Sequence, residues 1–182
     1  MRKEVKLDLA YRLLGPGPVV LVSSLYDKRS AITPIAWHMP FSDDPPIVAL
    51  EIWKDHFIHK AILQTGDFVI NIPSSDMAGI VCKLGSVSGS KIDKIKEFGV
   101  KEEDSKEVRS PRLSEAIGIL ECRLHRDDNL LQNYSVIVGD VVYAEAESGI
   151  FTDRWHPEKA GPRIMHHLGG KIFSVSDRLA SK

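Results

Sequence analysis

The chain has 182 residues with 24 Lys and Arg against 25 Asp and Glu, so its formal net charge is −1. This balance gives no argument for nucleic acid or an anionic membrane as a partner. The length suits a single domain over residues 1–182 whose core needs no disulfide or metal. The apolar runs are too short to cross a bilayer, and MRKEVKLDLAYR at the start lacks the apolar centre of a secretory signal. We therefore expect a cytoplasmic protein.

Cysteine and histidine spacing indicates neither a metal centre nor a redox dithiol. Cys82 and Cys122 lack CxxC spacing, and the seven His form no HExxH motif and no Cys/His cluster. Two buried, reduced thiols are the expected state. The Ser23-Ser24 pair lacks the Gly-x-Ser-x-Gly turn of a hydrolase, so no nucleophile is predicted. The catalytic residues stay unassigned.

The predicted elements are mostly short strands. Val5, Leu7 and Leu9 alternate with charged residues, which predicts a short edge strand. A helix over 55–65 begins at Asp55, which can cap it, and a charged connection over 101–111 reads as solvated. Without regular βαβ alternation, the pattern favours an antiparallel barrel or sandwich with helices in its connections. Other strands are predicted at 19–26, 32–39, 47–52, 67–72, 117–124, 134–147 and 171–175, and other helices at 77–84 and in the second half of 85–99.

The stretch ITPIAWHMPFSDDPPIVALE over 32–51 joins two of these strands through a connection too long for a tight hairpin. It places Trp37, His38, Met39 and Ser42 within six residues. Apolar side chains for ring faces and polar groups for ring edges suit a planar, amphipathic ligand. The alternative is an ordinary strand end with a half-buried Trp.

Two further segments have the composition of an anion site. Small residues at 85–90 let backbone N–H groups approach an anion, and Lys91 and Lys94 add positive charge. The segment is neither a Walker sequence nor a GxGxxG fingerprint, so the alternative is an ordinary loop. Lys54, His56 and His59 stand at the predicted start of the 55–65 helix, where cations and N–H donors can receive a phosphate. Here the alternative is a solvated helix face.

An ordered series of segments resembles the flavin reductase-like family of FMN-binding split-barrel proteins, especially its flavoredoxin branch. The series runs from about residue 16 to residue 176. Its segments are PVVLVSS (18–24), ITPIAWHMPFSDDPPIVALEI (32–52), FVIN-P (68–73), SGSKIDKIKEFGV (88–100), LECRL (120–124), VIVGDVV (136–142) and HHLGGKIFSV (166–175).

The resemblance implies a six-stranded antiparallel Greek-key split barrel, a homodimer, and one FMN per subunit near the dimer interface. It implies flavin contacts from Ala36 to Met39, with Trp37 beside the ring. It also assigns to the cofactor Ser42, His56, Ser88, Gly89, Lys94, Asn133 and His167. Lys54 and Lys91, the cations of the two anion-site segments, complete the set of candidate cofactor contacts.

The chain departs from the family pattern at the position where relatives carry a phosphate-binding Ser or Thr, because Ile58 stands there. His56 occupies the place of the family's basic residue, and Asn133 falls near a position where relatives often carry His. These departures imply weaker phosphate binding, or binding rebuilt around Lys54, His56 and His59.

The function implied is an FMN-dependent oxidoreductase. It would take electrons from NADH, NADPH or a redox protein and pass them to a flavin, ferric or protein acceptor. Two alternatives remain open: a flavoredoxin-type electron carrier without small-molecule turnover, and a module of the flavin-binding type that has lost its flavin and with it redox activity. The colour of the purified protein and its oxidation of NADH or NADPH separate the three.

Overall fold

One large antiparallel sheet organises the fold in a computed structural model that describes residues 4–126 and 133–180. Two 3₁₀ turns, Leu7–Leu9 and Ser75–Met77, accompany the regular elements. The strands are β1 (Gly17–Pro18), β2 (Val20–Tyr26), β3 (Arg29–Ile35), β4 (His38–Asp43), β5 (Pro46–Glu51), β6 (Asp67–Ile72), β7 (Glu102–Glu103), β8 (Arg112–Leu113), β9 (Gly118–His125), β10 (Val136–Ala146), β11 (Met165–Gly169) and β12 (Ile172–Val175). The helices are α1 (Tyr11–Leu14), α2 (Phe57–Thr65), α3 (Ala78–Ser86) and α4 (Lys94–Phe98).

The main sheet has the strand order β3-β2-β6-β9-β10-β5-β4, with every neighbouring pair antiparallel. Its two edge strands, β3 and β4, are nearly consecutive in the chain, from Ile35 to His38. Three residue steps span at most about 11 Å, so the sheet must curl until its edges come close. The expected mainly-β, antiparallel split-barrel fold is confirmed, and the main sheet has one strand more than the six expected.

Strand β2 is covered on both faces, which fixes the two halves of the core. Val20 and Val22 pack with α2 residues such as Ile62 in one apolar cluster. Leu21, on the opposite face, packs with Val81 of α3 in a second cluster. Since successive side chains of a strand point to opposite faces, covering both faces explains why the VVLV segment (19–22) is apolar throughout and not alternating. The sheet edge at β3 therefore lies between α2 and α3.

The structure corrects several local predictions. The single strand expected at 32–39 is interrupted between β3 and β4, and β4 pairs with β5 across only Asp44 and Pro45, so the connection between them is a tight hairpin. The expected edge strand over Val5, Leu7 and Leu9 is wrong: the segment forms a 3₁₀ turn whose Leu7 carbonyl accepts from the Ala10 N–H. No neighbouring strand pairs with it in the described chain, and unpaired strand backbone is not stable. Asp55 does not cap the following helix, because α2 begins at Phe57 and its N-cap position carries no side-chain cap. No helix of the described residues is long and apolar enough to span a bilayer.

Gly139 allows β10 to pack directly on the buried ring of Phe68. A Cβ at this position would lie 2.8 Å from Phe68 Cε1 and 3.0 Å from Cys122 Cβ. Overpacking costs about 1–3 kcal/mol, and the lower backbone entropy of the unfolded alanine chain offsets about 0.5–1 kcal/mol. We expect Gly139→Ala to lower the free energy of unfolding by about 1–2 kcal/mol, measured by urea denaturation. Gly149→Ala is the control because nothing lies within 4 Å of its Cβ position, and an equal loss there would contradict the packing argument.

Candidate functional site

A pocket of about 460 Å³ opens where edge strand β3, the start of α2 and the loop after α3 meet. We call it the polar pocket. Three segments that are far apart in sequence converge there, because α2 and α3 cover opposite faces of the sheet beside β3. Its lining residues are Ile32, Thr33, Pro34, His56, Phe57, Ile58, Gly85, Ser86, Val87, Ser88, Gly89 and Lys94.

Lys94 lines the polar pocket as a buried cation, 5 % exposed. Its Nζ donates to the Leu84 carbonyl oxygen at 2.6 Å. Within the described residues it forms no ion pair with a carboxylate. Burial without a counter-charge lowers the pKa of Lys94 to about 8. A buried ammonium of this kind gains free energy when an anion or a polarised carbonyl enters the pocket.

The start of α2 adds backbone donors to the same pocket. Its N-cap position, His56, makes no capping hydrogen bond through its side chain. The His56 carbonyl oxygen accepts from the His59 N–H at 3.1 Å, which leaves the N–H groups of Phe57 and Ile58 for a ligand. The side chain of Ile58 is buried in the core and carries no donor. His59, one residue further, is buried with Nε2 unpartnered in the described chain, and its pKa is lowered by burial and by the charges of Lys54 and His56.

The small-residue loop after α3 forms the opposite wall. Ser88 and Ser90 are joined through their hydroxyl groups at 2.8 Å. Gly89 is buried against Phe57, and a Cβ there would lie 3.0 Å from Phe57 Cδ1. A side chain at this position would push the loop away from the start of α2. Glycine therefore lets the backbone of the loop come close to the pocket.

Arg29, which the sequence analysis did not single out, fixes this loop. Its Nη2 donates to the carbonyl oxygens of Gly89 and, at 2.7 Å, of Ile92. Its guanidinium carbon also lies 5.1 Å from the centroid of the Phe57 ring. One side chain at the start of β3 thus joins the loop to α2. Its hydrogen-bond partners are about sixty positions away in the chain, so no local pattern could have revealed it.

We expect Arg29→Gln to lower the free energy of unfolding by about 1–2 kcal/mol, because charge-assisted hydrogen bonds and a cation–π contact are lost at a partly buried site. Chemical denaturation followed by circular dichroism measures this. Arg12 is the matched control, since its guanidinium also lies over an aromatic ring but is exposed. Arg12→Gln should change the free energy of unfolding by less than about 0.5 kcal/mol. Similar losses from both variants would show that Arg29 is not a specific clamp.

A second pocket, of about 360 Å³, adjoins the first and shares Pro34, Gly85 and Ser86 with it. We call it the apolar pocket. Ala36 and His167 line it, and their surroundings are mainly Val19, Val81, Cys82 and Phe173. The His167 ring lies 5.5 Å from the Phe173 ring, and its Nε2 is 3.1 Å from the Gly170 carbonyl oxygen. The two pockets together offer a charged end and an apolar end to one elongated ligand.

Trp37, His38 and Met39 lie beside this pair of pockets and not inside either one. They line a shallower groove of about 300 Å³ along β4 and β5. The Trp37 ring contacts Tyr11 edge-on at 5.6 Å between centroids. His38 Nε2 lies 2.9 Å from the Pro18 carbonyl oxygen, and burial lowers the pKa of this imidazole despite that contact.

The residues that the sequence analysis assigned to a ligand thus divide into three groups. His56, Ser88, Gly89 and Lys94 meet in the polar pocket, whereas Ala36 and His167 meet in the apolar pocket. Trp37, His38 and Met39 share the neighbouring groove. The remaining assigned residues line neither the two pockets nor the groove: Ser42, Lys54, Lys91 and Asn133. Across the described chain, no three His, Cys, Asp or Glu side chains group closely enough to hold a metal ion.

Comparison with known proteins gives consistent matches over nearly the whole chain. The sequence profile of the flavin reductase like domain matches residues 13–176. The uncharacterized protein YddH of Escherichia coli (strain K12) is 32 % identical over 178 residues, covering 96 % of this chain and 94 % of its own.

Two solved structures are similar in fold. An FMN-binding domain of a flavin reductases-like enzyme from Shewanella baltica OS155 superposes with a TM-score of 0.87 at 26 % identity, covering 98 % of this chain and 95 % of the other. Flavoredoxin of Desulfovibrio vulgaris (Miyazaki F) superposes with a TM-score of 0.83 at 22 % identity, covering 100 % and 97 %. The flavoredoxin likeness, at that identity, shows a shared fold.

Proposed function

The chain belongs to the flavin reductase-like family, and from that premise we propose that it is an FMN-dependent oxidoreductase. In this proposal it takes electrons from NADH, NADPH or a redox protein and passes them to a flavin, ferric or protein acceptor. Bound FMN would supply the hydride and single-electron chemistry. The observation that carries the proposal is Lys94, a buried cation without a carboxylate partner in the described chain, in a pocket that adjoins an apolar one.

The chemistry of the two pockets fits FMN. A phosphate needs cations and N–H donors, and a flavin ring needs apolar faces with a few polar groups at its edges. The uncapped start of α2 and the backbone around Ser88 and Gly89 supply donors. Ala36 and His167 supply part of the apolar pocket. Because Ile58 is buried and apolar, we assign phosphate binding to backbone N–H groups and to His56.

Lys94 has a distinct role in this proposal. Its ammonium is held by the Leu84 carbonyl oxygen, so it enters the pocket in a fixed orientation. A cation next to the N1–O2 edge of a flavin favours the reduced, anionic form of the cofactor. The side chain would therefore both bind the cofactor and favour its reduction. We propose the groove residues Trp37, His38 and Met39 as contacts on the outer side of the ring.

The test begins with the purified protein. We expect a yellow protein whose heat- or acid-released flavin is FMN by chromatography, at about one per chain. FAD, or no flavin after reconstitution with excess FMN, would contradict the proposal. Steady-state oxidation of NADH and NADPH, with and without added flavin or ferric complexes, then distinguishes an enzyme from an electron carrier. A colourless protein that cannot be reconstituted would indicate a module that has lost its flavin.

We further propose that the protein is a homodimer in which the partner subunit forms one wall of the cofactor site. Strand β4 is an edge strand, and it leaves Met39 and Phe41 each 53 % exposed, next to Trp37 at 49 %. Exposed apolar side chains grouped on a sheet edge usually mark an interface. A twofold dimer would bury this edge against its copy. Light scattering of the holo and apo forms over a dilution series tests it, and a monomer that retains its flavin at nanomolar concentration would refute it.

A further inference from the structure

A separate cavity of about 330 Å³ lies on the other side of β11 from the apolar pocket. His167 lines the apolar pocket, whereas the preceding residue, His166, lines this cavity. Successive side chains of a strand point to opposite faces, so the two cavities are separated by the strand itself. We call this cavity the rear pocket. Its main lining residues are Ile150, Arg154, Trp155, His156, Arg163 and His166.

The rear pocket carries an excess of positive charge. Arg154 and His156 both contact Glu158, at 3.0 and 2.9 Å from its Oε1. These two contacts hold the pKa of Glu158 well below its usual range, so this carboxylate stays ionised and is already engaged. Arg163 is different. Its side chain donates to the Gly161 carbonyl oxygen at 2.8 Å and forms no ion pair with a carboxylate in the described chain.

The rear pocket also has unused hydrogen-bond donors. A guanidinium has five N–H groups, and the structure assigns one hydrogen bond to that of Arg163. The imidazole of His166 has no hydrogen-bond partner among the residues that the structure describes. Both side chains line the same cavity. A ligand with two acceptor oxygens would satisfy donors that the protein leaves open.

The remaining walls are apolar and rigid. Trp155 packs edge-on against Phe151 at 5.0 Å between centroids. The Cη2 edge of its ring lies close to β9, where a Cβ added at Gly118 would lie 3.3 Å from that atom. Ile150 is buried, and Pro157 and Pro162 line the cavity with fixed backbone angles. An aromatic ligand would meet a surface that is already in place.

We propose that the rear pocket binds a small aromatic carboxylate, with the carboxylate on Arg163 and the ring against Trp155. Guanidinium and carboxylate groups match in planar, bidentate geometry, which a compact ammonium cannot reproduce. The cavity volume is at the lower end for ligand sites and suits one ring with one anionic group. This site is independent of the flavin proposal, because its residues face away from the apolar pocket.

The experiment is a calorimetric titration of the purified full chain with sodium benzoate at constant ionic strength. We expect saturable binding with a Kd of about 0.1–1 mM, the range of a well-placed fragment of this size. Arg163→Gln should weaken binding by at least about tenfold. Lys159→Gln is the matched control, since it removes the same charge from the same loop at an exposed position that does not line the cavity. It should change the Kd by less than about twofold.

Two further probes test the contributions of the aromatic ring and of the negative charge separately. Benzyl alcohol keeps the ring without the charge, and inorganic phosphate keeps the charge without the ring. Both should bind at least about tenfold more weakly than benzoate. If circular dichroism shows that Arg163→Gln does not fold, Arg163→Lys replaces it. This variant should still weaken binding, because it keeps the positive charge but loses the planar, bidentate geometry of the guanidinium.

Three results would overturn the assignment. The first is no saturation with benzoate below about 10 mM, because this affinity would be weaker than a pre-formed binding site provides. The second is equal weakening by Arg163→Gln and Lys159→Gln, which would show attraction by net charge alone. The third is benzyl alcohol or phosphate binding as tightly as benzoate.

Discussion

Replacing Lys94 by alanine is expected to weaken FMN binding by about 1.5–3 kcal/mol, or roughly 10- to 150-fold in Kd. The ammonium is buried at the polar pocket and has no carboxylate partner in the described chain, so the bound cofactor would be its main electrostatic partner. Fluorescence titration of apo protein with FMN measures the change. The free energy of unfolding of the apo variant should not fall in parallel, because burying an unpaired cation is itself costly.

Lys96→Ala is the matched control for this experiment. Lys96 lies on the same short helix, but its side chain is 86 % exposed and pairs with Asp93 at 3.7 Å. We expect its FMN Kd to stay within about twofold of the unmodified protein. Equal weakening by both variants would mean that Lys94 acts through general charge and makes no specific contact.

The same residue predicts how FMN binding depends on pH. Burial lowers the pKa of Lys94 to about 8 in the absence of ligand, so the side chain is charged at pH 7 and loses its proton as the pH rises through that value. FMN affinity should therefore be highest below pH 8 and decline between about pH 8 and 9.5. The decline should be absent in Lys94→Ala. A decline of the same size in that variant would assign it to another group.

Replacing Glu121 by alanine is expected to lower the free energy of unfolding by about 3–5 kcal/mol. Glu121 is fully buried, and its carboxylate accepts from the backbone N–H groups of Lys106 at 2.9 Å and Glu107 at 2.7 Å. Arg112 Nη1 lies 3.8 Å away. Alanine would leave two backbone donors and a guanidinium without this acceptor. Urea denaturation followed by circular dichroism gives the free energy of unfolding.

Glu103→Ala is the control, because it removes a second carboxylate partner of the same arginine. Glu103 Oε1 lies 2.8 Å from Arg112 Nε, but its side chain is 42 % exposed. Because the Glu103 carboxylate reaches solvent and Arg112 keeps its contacts with Glu121 and Glu145, we expect the loss in Glu103→Ala to be about 1 kcal/mol. Hydrogen exchange should also show faster exchange of the Lys106 and Glu107 amides in Glu121→Ala alone. A loss below about 1 kcal/mol in that variant would mean that the loop holds its place without the carboxylate.

Local sequence patterns were sufficient to predict an element where the segment itself contains the characteristic spacing or end residue. The apolar segment DFVINI predicts a strand over 67–72, and β6 has these bounds. Gly99 ends α4 in the left-handed conformation, as its place after the apolar spacing of the helix indicates. The spacing of Lys94 and Lys96 predicts different directions for their side chains, and the structure buries the first and exposes the second.

Long-range contacts could not be predicted in the same way. The segment over 101–111 reads as a solvated connection because it is charged, yet its backbone is held by Glu121 and by Asp67, which accepts from the Ser110 N–H at 3.1 Å. Arg29 belongs to no motif in the sequence, yet it holds the small-residue loop after α3. Each of these contacts depends on which strands become neighbours in the fold. The sequence alone does not show which partner a charged side chain will have.

Sequence patterns were enough to predict the mainly-β class and most element positions, and to propose the small residues at 85–90 together with Lys94 as one candidate site. These features depend on period, turn residues and ordered segments, which are local properties of the chain. The tertiary structure alone decided that His56, Gly89 and Lys94 share a pocket while Trp37 and Met39 lie in a neighbouring groove. It also decided that His166 and His167 line separate cavities. The reason is that a pocket forms where elements distant in sequence pack together, and packing geometry fixes which face of a strand each side chain occupies.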